Sequence, residues 1–148
     1  AHELFHYASY AHGGGRTLYW SEQDQYTERE SENLHEGIIQ LYATQLTETL
    51  HTGYPNETTT AFFIERLVGA ETLRRAYMTG DFYDVRASID RQLGDGTFDT
   101  ILERSEPSDA LAYLVSQMDN AEEQYDYMEW ILDNNVMSEL ISTRLVNL

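Results

Sequence analysis

His2, Glu3 and His6 open this chain at a spacing that can do chemistry. Residues four apart share one face of an α-helix. Two imidazoles so placed can aim a nitrogen each at one point, about 2.0–2.1 Å from a zinc ion. Glu3 falls about a hundred degrees round the helix, beside the metal and not on it. A carboxylate there can take the proton of a water held at the site. This is the H-E-x-x-H arrangement, two ligands and one general base on two turns. Random placement of the 5 histidines and 16 glutamates gives roughly 0.02 such matches. The competing reading is an ordinary helix that happens to carry two histidines.

A catalytic zinc takes three protein ligands and keeps one position open. Two residues compete for the third place. Glu36 lies in "ENLHEGIIQLYATQ", with Ile39 and Ala43 following at i+3 and i+7. Its helix therefore reads as buried on more than one face, and a carboxylate there needs a partner that a cation supplies. The bland alternative is a partly exposed acid near a helix start, favoured by the macrodipole. His12 is the second candidate, completing H-E-x-x-H-x-x-S-x-x-H with Ser9 where the metzincin pattern has glycine. The tight turn wants a residue without a Cβ, and Met78 lies in a helical stretch, so His12 ranks behind Glu36. Such a site also needs a proton donor to steady an oxyanion. Tyr54 ranks first for that role, with His51 and His35 behind it. A tyrosine beside a proline turn serves packing just as readily.

Helices must hold these groups. Residues 1–11 read as a short helix stopped by Gly13-Gly14-Gly15, and 16–26 as irregular or strand-like. Thr27 and Glu30 form a capping box ahead of a long helix to about His51. Its apolar stripe is Leu34, Ile38, Leu41, Tyr42 and Leu46. "TGYPNE" reads as a turn. Helices follow near 57–68, 70–79, 81–93, 97–104, 108–119, 121–133 and 135–147. Gly69, Gly80, Gly94-Asp95-Gly96, Pro107 and Asn134-Asn135 mark the joints. The expectation is one all-α, or nearly all-α, domain over 1–148.

"LHEGIIQLYATQ" resembles the L-N-E-G-hydrophobic-x-x-Y stretch of gluzincin metallopeptidases, the thermolysin and aminopeptidase-like group. The resemblance implies His2 and His6 as zinc ligands, Glu3 as base and Glu36 as third ligand. The Glu36 helix would pack against the His2–His6 helix, and the substrate would be a peptide or protein. His35 stands where the family has asparagine. Residues 54–103 are similar to the C-terminal helical part of small bacterial proteins of this type, through "G-x-E-x-L-x-x-A-Y-x-x-G-D" at 69–81. Within that stretch Leu73 and Tyr77 read as core. The likeness covers roughly 1–104, with 105–148 as additional helices. The family's metal helix starts a turn or two before its first ligand and follows a strand. Only Ala1 precedes His2, so the chain is expected either to be a fragment or to draw those residues from elsewhere, and by itself to bind zinc weakly and cleave poorly.

Composition narrows the choices. Cysteine is absent, so a metal must be held by His, Asp or Glu. Net charge is -17, and every one of the nine basic residues is arginine. Phosphate backbones and anionic membranes would be repelled, which argues against nucleic-acid binding. Such acidity points to a surface adapted to high salt or kept soluble by charge. No run of about 18 apolar residues offers a membrane span, and no basic-then-apolar leader opens the sequence. Secreted and cytoplasmic locations stay open. "NET" at Asn56 is a glycosylation sequon that matters only in a eukaryotic secretory setting. Three functions are carried forward: a gluzincin-like zinc peptidase, a helical metal-binding or interaction module without peptidase activity, and a metzincin-like site using His12.

Overall fold

The computed structural model describes residues 24–47 and 54–118. Within them the chain forms six α-helices and no strand. They are α1 (Glu28–Thr47), α2 (Pro55–Val68), α3 (Ala70–Thr79), α4 (Tyr83–Leu93), α5 (Thr97–Glu103) and α6 (Pro107–Gln117). The all-α expectation is met over these residues. The expected short helix over 1–11 and those beyond residue 121 lie outside them.

The capping box forms as the sequence predicts. The Thr27 amide donates to Glu30 Oε1 at 2.8 Å, and the Glu30 amide donates to Thr27 Oγ1 at 3.1 Å. Two orphan donors at the start of α1 are thereby satisfied. Leu34, Ile38 and Leu41 are buried, and Tyr42 is partly so, but Leu46 is 65% exposed. The reason is angular drift. At about 100° per residue, Leu46 sits some 120° round from Leu34, off the stripe.

The expected "TGYPNE" turn is already helical at Pro55. Proline suits the first helical position, since its missing N–H would have no intrahelical acceptor there. Thr58, Thr59 and Thr60 follow, all buried. Their hydroxyls donate to the carbonyls of Tyr54 (2.6 Å), Pro55 (2.7 Å) and Asn56 (3.0 Å). This back-bonding lets three β-branched polar residues enter the interior with their hydroxyls satisfied. α2 is the central element and touches α1, α3, α4 and α6. Accordingly Ala61, Phe63 and Ile64 are fully buried, and Phe62, Leu67 and Val68 pack against the same core.

α3 ends at Gly80, whose φ of 84° is left-handed and whose N–H reaches Ala76 O. A Cβ would strain that conformation. The next helix starts at Tyr83, not at the expected 81, because Asp81 Oδ1 accepts the Tyr83 amide at 3.0 Å. Leu73 and Tyr77 are core residues, as read from the sequence. Phe82 stacks on Phe98 at 6.2 Å between centroids, joining α4 to α5. Among the described residues no helix is long and apolar enough to cross a membrane.

Candidate functional site

Glu36 sits half-buried in the middle of α1, flanked by buried His35 and Gly37. Gly37 explains how the corner around it is built. A Cβ placed on Gly37 would lie 2.2 Å from the Glu57 carbonyl oxygen and 2.6 Å from its carbon. Only glycine permits that approach. The backbones of α1 and α2 therefore touch here, and the opening turn of α2 is seated against the residue next to Glu36.

Glu57 is part-buried in that opening turn. Burial pushes its carboxyl above the usual carboxylate range, and the neighbouring charge of Glu36 pushes the same way. A hydrogen bond from its own backbone N–H acts in the opposite sense and is outweighed. Glu57 also lines a small cavity of about 20 Å³ with Leu34 and Ala110. That is room for roughly one water, so the cavity is not a substrate pocket.

Tyr54 occupies the N-cap position of α2, with φ −126° and ψ 54°, and is 37% exposed. Its carbonyl accepts the Thr58 amide at 2.9 Å. Tyr54 and Glu57 thus share the turn of α2 that abuts Gly37. The structure brings two of the predicted residues, Tyr54 and Glu36, to one helix junction and adds Glu57 to them. His35 points elsewhere. It is 9% exposed and meets the Tyr77 ring edge-on at 5.5 Å, and Tyr77 meets Tyr42 in the same way at 5.5 Å. Its ring belongs to an aromatic cluster between α1 and α3, where burial, and after it the charge of Glu65, pushes the Tyr42 hydroxyl up.

His2, Glu3, His6, His12 and His51 lie outside the described residues. Among the described residues no three His, Asp or Glu side chains gather closely enough to hold a metal. Glu36 and Glu57 offer a carboxylate pair. Its oxygens suit a divalent cation, since zinc accepts carboxylate ligands. Burial is the main cause of the rise at Glu57, and a cation would relieve the smaller part that comes from the charge of Glu36.

A second polar cluster joins distant parts of the chain. Arg86 grips Asp99 with both prongs, Nε to Oδ1 at 3.0 Å and a terminal nitrogen to Oδ2 at 3.1 Å. The Tyr26 hydroxyl donates to the same Oδ1, and its ring lies edge-on to Phe98.

Sequence reasoning missed Glu57 because its segment read as a turn. The signal was present: an acid in the turn that follows a proline at a helix start. The Tyr26–Asp99–Arg86 cluster had no such signal, since Tyr26 and Asp99 are 73 positions apart. No protein-family model, no curated protein and no solved structure matches this chain.

Proposed function

We propose that the chain is a helical domain of gluzincin type that carries a zinc site and hydrolyses peptide bonds. The observation that carries this reading is the half-buried Glu36 carboxylate, held at a tight helix crossing beside a second carboxylate whose proton affinity is raised. That corner carries two carboxylates, and the H-E-x-x-H of His2, Glu3 and His6 is the imidazole source the sequence provides for a metal there. Zinc, when bound, supplies Lewis-acid polarisation of the scissile carbonyl and of an attacking water. His2, His6 and Glu36 would hold it. Glu3 takes the proton of the water and passes it to the leaving amine. Tyr54, exposed at the N-cap of α2, donates a hydrogen bond to the oxyanion as it develops.

Glu36→Gln and Glu3→Gln, compared by zinc binding and by hydrolysis of a peptide library, test the reading. Glu36→Gln should lose zinc and turnover together. Glu3→Gln should keep zinc and lose turnover by about 10²–10⁴-fold, the usual contribution of a general base. If Glu36→Gln holds zinc as tightly as the parent chain, the assignment fails. The non-catalytic alternative is favoured by His35, which stands in the family's asparagine position and is turned into the core. In that case Glu3→Gln changes no measurable property.

A further inference from the structure

We propose that this fold is salt-conditional: the chain reaches full stability only when counterions screen the acidic outer faces of its helices. The chain carries 26 acidic residues against 9 arginines, with no lysine. The structure shows where part of that charge lies. Glu28 and Glu32 on α1, Glu71 on α3, Asp84 on α4 and Glu103 on α5 are exposed, as are Asp95 and Glu106 in the joints.

The helix ends add to the imbalance. The last turns of α1, α3, α5 and α6 contain no basic residue. At α1, α3 and α6 the negative pole is therefore not offset by a cation in that turn, and at α5 Glu103 places a further negative charge beside the C-cap Arg104. Compaction brings all these charges closer than they lie in the unfolded chain, so self-repulsion opposes folding. The Arg74–Glu71 pair is solvent-exposed and offsets little of this.

Length scales decide how salt acts. The screening length is about 30 Å at 0.01 M and about 3 Å at 1 M. A domain of this size has a radius of gyration of roughly 15 Å. At low salt, charges across the whole molecule repel one another; near 1 M only immediate neighbours do. The inference stands on charge placement alone and does not depend on the peptidase reading.

Thermal unfolding of the full 148-residue chain, followed by circular dichroism at pH 7 with a chelator present, tests it. The titrants are potassium chloride and choline chloride at equal ionic strength, with potassium sulfate as a control. Tm should rise by on the order of 10 °C between low salt and about 1 M. The two salts should act alike, with most of the gain below 1 M. The comparison variant combines Glu32→Gln, Asp95→Asn and Glu103→Gln. These positions are exposed and lie outside the first turns of the helices, where acids are favourable. The variant should melt higher than the parent in low salt and respond less to added salt. Three outcomes overturn the proposal: a flat Tm in the parent chain, an unchanged salt slope in the variant, or a rise produced only by sulfate salts. The last would assign the effect to apolar burial.

Discussion

Glu57 carries the sharpest residue-scale consequence of the structure. Its proton affinity is raised in the folded state, by burial and then by Glu36. The folded state therefore favours the neutral acid relative to the unfolded chain. The stability this confers is fully present below the unfolded pKa, near 4.5, and is lost as pH rises through the higher folded value. At pH 7 the ionised form is a liability. Glu57→Gln keeps the shape and an oxygen for the backbone N–H but cannot ionise. Its metal-free Tm should exceed that of the parent chain at pH 7, and the two should converge below about pH 4.5. Equal melting at both pH values would show that the Glu36–Glu57 corner carries no electrostatic tension. Of the two carboxylates, only Glu36 was legible in the sequence, through its H-E-G-hydrophobic context. Glu57 becomes a site residue only because Gly37 lets α2 close on α1.

At the scale of elements, Gly37 opposes propensity to packing. In an exposed helix, glycine to alanine gains about 1 kcal/mol. Here the added methyl would lie 2.2 Å from the Glu57 carbonyl oxygen. That oxygen is part of the backbone and cannot swing aside as a side-chain tip can. Overpacking of this kind costs about 1–3 kcal/mol, so packing wins. Gly37→Ala should lower stability in urea denaturation by that amount, and under the proposed metal role of Glu36 it should also weaken zinc binding. Stabilisation by alanine would mean that α1 and α2 cross with room for a methyl group at Gly37. The helices themselves were largely readable. Thr27 with Glu30, Gly69, Gly80 and Pro107 act within a turn or so of chain, and the observed boundaries fall on or beside them. Leu46 was misread because the stripe drifts over three turns, a small error per residue that accumulates.

Over the whole molecule, the Tyr26–Asp99–Arg86 cluster ties the approach to α1 to the α4–α5 corner. Burial pushes the Asp99 carboxyl up, but the Arg86 fork and the Tyr26 hydroxyl push it down further, so it stays below the usual carboxylate range. Here the sign is opposite to that of Glu57. The stability conferred by Asp99 is present above the unfolded pKa and is lost as pH falls through the folded value. Asp99→Asn keeps an acceptor for Tyr26 but loses the charge that Arg86 grips. It should cost about 1–3 kcal/mol at pH 7, with the gap beginning to narrow below the unfolded value near 3.8 and closing as pH falls through the lower folded value. Chemical denaturation at pH 7 and pH 3 measures both points. A gap of constant size would remove the carboxylate as its cause. The pair is only about 30% exposed, so this contribution should survive salt better than that of Arg74–Glu71.

Taken by itself, the sequence determined the helical class, most helix limits between residues 27 and 118, the acidic character and the presence of an H-E-x-x-H with a candidate carboxylate at Glu36. Those properties follow from interactions within one or two turns of chain, or from a sum over residues that needs no coordinates. Tertiary structure alone decided that α2 is the central helix, that Gly37 is a contact rather than a break, that Glu57 joins Glu36, and that His35 packs on Tyr77. Each of these depends on which distant surfaces meet. Burial and electrostatic coupling are set by distance in space, and separation along the chain does not encode it.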